Sequence, residues 1–192
     1  MLKSPLRLNA TTRHIIPLSN QILLKEPKNV AISATDVVRV LRQQGITHIV
    51  WLPDSETNFM FSAMVADPEI DLVPVCREAE SMAIAAGLWI GGKHPVVMIQ
   101  NTGVFESGDS IRSMSLDLGM PLVMLIGYRG WTRHGETPDS AARFIEPVLH
   151  AFGIPYYLVE SSPDLTRLGY AFNQARTENH PVAVLFGEHF EA

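Results

Sequence analysis

Cysteine occurs once in 192 residues, at Cys76, which excludes an intramolecular disulfide and any metal cluster built on several thiolates of this chain. Long apolar runs are missing too. Nothing approaches the roughly 20 consecutive apolar residues of a membrane-spanning helix, and the N-terminus, punctuated by Pro5, Arg7, Arg13 and Pro17, has no secretory core. A reducing, cytoplasmic setting with no membrane partner is expected. Basic residues number 15 against 20 acidic ones, for a net charge of −5. They are scattered rather than clustered, so the footprint that neutralises phosphates is absent and nucleic acid is set aside as a partner. There is no Walker A loop, no G-x-G-x-x-G after a strand, no G-x-S-x-G elbow and no paired-histidine metal motif. Nucleotide-binding and hydrolase readings lose support accordingly, and no metal ligand is assigned to this chain.

What is present is a globular composition, 46% hydrophobic and 18% charged, in a chain of ordinary single-domain length. Residues 1–32, with Pro5, Pro17 and Pro27, show no sustained period and read as an N-terminal extension to a domain over 33–192. From Ser33 onward, strand and helix signals alternate. Ser33 or Thr35 can cap a helix carrying Val37, Val38 and Leu41, which Gly45 ends. A buried strand over 46–52 stops at Pro53, and Asp54-Ser55 stand where caps of the next helix belong, with Phe59, Met60, Ala63 and Met64 as its apolar face. Strands follow over 70–75, 96–100 and 122–126, then at Tyr156–Val159 and Val182–Phe186. Asn101-Thr102-Gly103 reads as a strand-to-helix turn, followed by one helix with Ile111, Met114, Ser115 and Leu118 on its face up to Gly119. A helix over 141–152 contains Pro147, which suggests a break, and Ser162-Pro163 opens another with Leu165, Leu168 and Phe172 on one face. About six strands alternating with about six helices predict an α/β fold, a single three-layer domain around a parallel sheet. Ligands of such sheets sit at the carboxyl ends of strands.

One stretch stands out, Cys76-Arg77-Glu78 running into Ala79, Ala83, Ala85, Ala86 and Gly87. It places a carboxylate near the first turn of a helix with almost no side-chain bulk, so a backbone or a flat ligand could approach closely. A carboxylate held in a dry setting becomes a proton donor or acceptor near neutral pH. The blander reading is a favourable anion at a helix N-terminus. Arg77 and Glu80 read as exposed or ion-paired, and Cys76 as a small buried hydrophobe.

Four segments carry a resemblance: Leu52-Pro53-Asp54-Ser55, Arg77-Glu78-Ala79-Glu80 with Ala85-Ala86-Gly87, Ile99-Gln100-Asn101-Thr102-Gly103, and Gly127-Tyr128-Arg129-Gly130-Trp131. From Thr35 to about Phe186 the chain resembles the flavodoxin-like pyrimidine-binding domain of thiamine-diphosphate-dependent decarboxylases, and among them the sulfopyruvate and phosphonopyruvate decarboxylases. The family's glutamate stands nine residues before the glycine of its small-residue helix, which selects Glu78 over Glu80. The resemblance implies that Glu78 is catalytic, bonding the N1′ ring nitrogen of thiamine diphosphate so that the exocyclic nitrogen can take the thiazolium C2 proton. It implies cofactor contacts at Asn101, Thr102 and Gly103, and contacts to a small 2-oxo acid at Asp54 and Ser55. Arg112, Arg129, Arg133 and His134 are candidates for an anionic tail. The family binds the diphosphate and its Mg2+ through a Gly-Asp-Gly to Asn-Asn motif, and neither half of it occurs in these 192 residues. The implied partner is a beta subunit bearing that half, in a hetero-oligomer of at least two alpha and two beta chains. A carboxylated or aromatic 2-oxo acid, a non-catalytic scaffold of the same fold, and a flavodoxin-like binder are the rival readings.

Overall fold

Short apolar runs bracketed by proline and glycine become strands, and the amphipathic stretches between them become the helices that cover both faces of the sheet. The protein is described by a computed structural model over residues 31–187 and 190–191. The expected extension over 1–32 therefore lies outside the described residues except for Ala31 and Ile32. Ile32 already belongs to the fold: β1 (Ile32–Ser33) pairs in parallel with β8 (Phe190–Glu191).

Between these, α1 (Ala34–Gln43) starts at Ser33, whose side chain accepts from the Asp36 N–H at 3.4 Å, and it buries Val37, Val38 and Leu41. It ends at Gly45, where φ of +76° suits a residue without a Cβ. There follow β2 (His48–Trp51), a 3₁₀ turn (Asn58–Met60), α2 (Phe61–Ala66), β3 (Asp71–Pro74), α3 (Glu78–Ile90), β4 (Pro95–Gln100), α4 (Asn101–Glu106), α5 (Gly108–Ser110), a π-helical turn (Ile111–Leu116) and β5 (Val123–Gly127). The chain continues through α6 (Ser140–Ala151), β6 (Tyr156–Val159), a 3₁₀ turn (Ser162–Leu165), α7 (Thr166–Glu178) and β7 (Val182–Phe186). The main sheet has six strands in the order β3-β2-β4-β5-β7-β6, and every neighbouring pair is parallel. The predicted parallel α/β domain is thus the observed fold.

Strands β5 and β7 are buried along their whole length, as strands covered on both faces must be, which is why they appear in the sequence as unbroken apolar runs. Alternation along β2 sends Ile49 and Trp51 to the layer built with Val37, Leu41, Leu168 and Phe172, and Val50 to the layer built with Met82, Ile111, Ile145 and Leu149. Since β3 and β4 flank β2 on opposite sides, the chain reverses direction across the sheet there. The carboxyl ends of β2, β3 and β4 form the crevice where such sheets take ligands.

Three local expectations are corrected. Pro147 does not break α6: it lies on the exposed face, its i−4 neighbour Arg143 is exposed too, and buried Ile145 and Leu149 hold the helix on either side. Asn101-Thr102-Gly103 is not a turn but the first turn of α4. The helix expected to run on to Gly119 instead widens into a π turn, in which Asp117 N–H donates to Arg112 and Met120 N–H to Ser115. That wider turn keeps Ile111 and Ser115 inside and leaves Leu118 47% exposed.

Candidate active site

The loop after β2 is built by one carboxylate. Asp54 accepts from the Glu56 and Thr57 N–H groups at 2.7 and 2.9 Å through Oδ1, and from the Thr57 hydroxyl at 2.9 Å through Oδ2. Thr57 Oγ1 in turn accepts from the Trp51 indole at 2.8 Å, tying the loop to the end of β2. Burial pushes the Asp54 carboxyl above its ordinary value of 3.8 against these hydrogen bonds. The fold therefore holds this proton more tightly than the unfolded chain does, and the stability that this contributes falls as pH rises from 3.8 through that raised value. Ser55 is exposed in the same loop. The loop crosses the end of β5 closely: a Cβ on Gly127 would stand 2.6 Å from Glu56 Cβ. Asp54→Ala should lower the unfolding free energy by about 1–2 kcal/mol, and Asp54→Asn by less, since its amide oxygen still accepts from the two N–H groups and only the bond from the Thr57 hydroxyl is lost; urea denaturation followed by tryptophan fluorescence checks this.

Glu78 is the first residue of α3 and is half-buried. Its side chain lies along the first turn of α4, against Gly103, where a Cβ would come within 2.6 Å of Glu78 Cγ and 3.2 Å of Glu78 Oε1. The Ser81 hydroxyl donates to the Glu78 carbonyl at 2.5 Å. Arg77, at the cap position, provides no side-chain acceptor for the helix. Glu106, from the other end of α4, does so instead: its Oε2 accepts from the Ala79 N–H at 2.7 Å and its Oε1 from Arg77 Nε at 2.5 Å. Arg77 is thus exposed and ion-paired, and Glu80 exposed. Cys76 is corrected: it is exposed, because it sits in the bend after the edge strand β3 while Val75 turns inward.

Asn101 is fully buried and faces the protein. Its Nδ2 donates to the Arg129 carbonyl at 2.9 Å, and its Oδ1 accepts from the Thr102 N–H at 3.1 Å, so it fastens α4 to the loop after β5. That loop is held again by the Tyr128 hydroxyl, which donates to Glu146 Oε1 at 2.8 Å, while Tyr156 donates to Oε2 at 2.6 Å. Burial first and the Glu146 carboxylate second push both phenols up, Tyr156 to about 12, and keep both hydroxyls as donors. Of the candidate tail-binding cations, Arg129 pairs with Asp139 at 3.0 Å and Arg112 with Asp109 and Asp117, each at 2.8 Å. Arg133 and His134 are exposed in the loop that follows Trp131.

The structure therefore brings Glu78 and Gly103 into contact, with Thr102 beside them. It sets Asp54 and Ser55 on the neighbouring loop and turns Asn101 inward. Two residues emerge that sequence reasoning did not single out. Gln100 closes β4, and its Oε1 is buried without a hydrogen-bond partner; a polar residue ending an apolar strand was the available signal. Glu106 had no local signal, because its partners lie 29 and 27 residues away. The Glu78 carboxylate thus rests on the backbone of α4 at Gly103, and Gln100, with its unsatisfied amide oxygen, ends β4 directly before that helix.

Comparison with known proteins agrees with this fold. Residues 33–143 match the family described as thiamine pyrophosphate enzyme, N-terminal TPP binding domain. The chain is 27% identical over 153 residues to sulfopyruvate decarboxylase subunit alpha of Methanocaldococcus jannaschii, covering 78% of this chain and 90% of that one. It is 30% identical over 108 residues to phosphonopyruvate decarboxylase of Streptomyces viridochromogenes, covering 56% of this chain but 27% of that one. Benzoylformate decarboxylase from Polynucleobacter necessarius shares the fold at a TM-score of 0.63 and 19% identity, over 83% of this chain and 31% of the other. The chain belongs to the thiamine pyrophosphate enzymes, as a carrier of their N-terminal TPP binding domain.

Proposed function

We propose that this chain is the alpha subunit of a cytoplasmic thiamine-diphosphate-dependent decarboxylase that converts 3-sulfopyruvate to sulfoacetaldehyde and carbon dioxide. The observation that carries the reading is the seat of Glu78: in a chain of this family, a carboxylate opens a helix at the carboxyl end of the sheet and lies over a residue with no side chain. These residues fit the pyrimidine half of the cofactor. Glu78 offers an anionic oxygen to a ring nitrogen, Gly103 leaves room for the Glu78 side chain to lie flat on α4, and the buried Gln100 Oε1 is an acceptor in need of a donor such as an exocyclic amine. Thr102 borders the same ring next to Gly103 in the first turn of α4, and Asn101 contributes by holding that turn in place. When bound, the cofactor supplies the electron sink that takes up the pair released as carbon dioxide leaves. Glu78 holds or releases the proton at the pyrimidine ring, and Asp54 and Ser55 border the 2-oxo acid.

The diphosphate and Mg2+ fall to a beta subunit, in an assembly of at least two chains of each kind. Relatives named as alpha subunits support a partner. Phosphonopyruvate is the second reading, favoured by the match to a phosphonopyruvate decarboxylase. It ranks lower because the chain spans most of the alpha subunit but about a quarter of the phosphonopyruvate enzyme. The test mixes this chain with the product of the adjacent gene, thiamine diphosphate and Mg2+, and measures carbon dioxide release. Release from 3-sulfopyruvate at rates well above those with phosphonopyruvate or pyruvate is expected. Full activity of the chain alone would sink the two-subunit site, and preference for phosphonopyruvate would reassign the substrate.

A further inference from the structure

Glu78 begins α3, and the first turn of a helix is where backbone N–H groups lack partners and the chain frays most readily. No side chain of the preceding loop caps α3. The two side-chain bonds that tie its start to another helix both come from Glu106, which grips the residue before Glu78 and the residue after it: Arg77 Nε at 2.5 Å and the Ala79 N–H at 2.7 Å. Glu106 lies one turn beyond Gly103 on α4, the helix against which the Glu78 side chain rests. Helix α4 is itself anchored at its first residue by the Asn101 bond to the Arg129 carbonyl. A single short helix thus sets both the backbone and the side chain of Glu78.

From this arrangement we infer that Glu106 is a positioning residue for the decarboxylation, acting through Glu78 by locking the first turn of α3 to α4. The inference rests on the reading that Glu78 activates thiamine diphosphate. Its physical content is that the catalytic carboxylate must sit within about half an ångström of its productive place, and an unclamped first turn does not keep it there. Hydrogen bonding to Arg77, with the bond from Ala79, holds the Glu106 carboxyl below its ordinary value of 4.5. The clamp is therefore ionised above 4.5 and is lost as pH falls through that lowered value.

The test uses the full chain and the assembled enzyme. In the chain alone, Glu106→Ala should raise the amide exchange rate of Ala79 by about tenfold or more relative to amides in mid-α3. In the assembly it should slow C2-proton exchange and kcat by about tenfold, with the KM for the 2-oxo acid and the number of titratable active sites unchanged. Glu106→Gln keeps an acceptor for Ala79 while losing the ionic bond to Arg77, so it should recover most of that loss. Added to Glu78→Gln, Glu106→Ala should cause no further decrease, as required of a residue that works through another. If Glu78→Gln itself leaves C2 exchange at the parent rate, the cofactor reading falls and the inference with it. If Glu78→Gln abolishes exchange but Glu106→Ala leaves kcat intact, or lowers it by the same factor in the Glu78→Gln background, the positioning role alone is overturned. Should Glu106→Ala fail to fold, Glu106→Met, which fills the same space without an acceptor for Ala79 or Arg77, carries the same comparison, and a rate equal to the parent's would end it.

Discussion

Glu78→Gln should leave the assembled enzyme folded and able to bind thiamine diphosphate while slowing C2-proton exchange and decarboxylation by about 10²–10⁴-fold, the usual range for loss of a positioned proton-transfer group. Glutamine has the same length and can still rest against Gly103, so the packing between α3 and α4 is kept. What is lost is the ability to hold a proton between the oxygen and a ring nitrogen, since an amide presents either a fixed acceptor or a fixed donor. The helix start loses one negative charge as well, worth about 0.3–1 kcal/mol, which is small beside the effect on rate. Proton exchange at C2, followed by NMR, separates activation of the cofactor from later steps. An exchange rate equal to the parent's would remove Glu78 from the activating role.

Gly103→Ala should cost about a hundredfold in turnover with little change in the unfolding midpoint. Alanine is favoured over glycine within a helix by about 1 kcal/mol, so α4 on its own would gain. The added Cβ, however, lands 2.6 Å from Glu78 Cγ and 3.3 Å from Glu78 Cβ. These atoms lie near the root of the side chain, and rotating its far end does not clear them. Either Glu78 takes another rotamer or α3 and α4 move apart, and each moves the carboxylate by an ångström or so, a displacement on the scale that costs about 10² in rate. Gly108→Ala is the control: its Cβ would meet only Phe152 Cζ at 3.8 Å, an ordinary contact, and activity should be unchanged. Turnover per titrated site, read beside thermal unfolding, checks both. A Gly103→Ala enzyme as fast as the parent would show that the contact does not set the position of the carboxylate.

The fold was legible where burial on both faces leaves a continuous apolar run. Strands β5 and β7 announced themselves in this way, bounded by Pro121 with Gly127 and by Pro181 with Gly187. Glu78 was visible because a carboxylate followed by a run of alanines is an unusual way to start a helix. Contacts that join distant parts of the chain were not visible. Nothing around Glu106 marks it as the cap of α3, and the inward turn of Asn101 depends on a carbonyl 28 residues away. The exposure of Cys76 follows from β3 being an edge strand, a property of strand order rather than of local pattern. The π turn after Ser110 was missed for a related reason: the spacing of Ile111, Met114, Ser115 and Leu118 suits an ordinary helix, and packing chose otherwise.

The order of the strands also bears on how the chain is made. In synthesis β6 leaves the ribosome before β7, yet in the sheet β7 lies between β5 and β6. A nascent chain that has reached Glu178 has all the residues of the candidate active site outside the tunnel or close to it, but the open edge of β5 has no neighbour. That edge is the wholly apolar segment Val123–Gly127, the kind of unpaired strand that recruits other chains. The fold closes only when its last long strand is threaded between two that arrived earlier, so protection from aggregation is granted late, by the final few residues of Val182–Phe186.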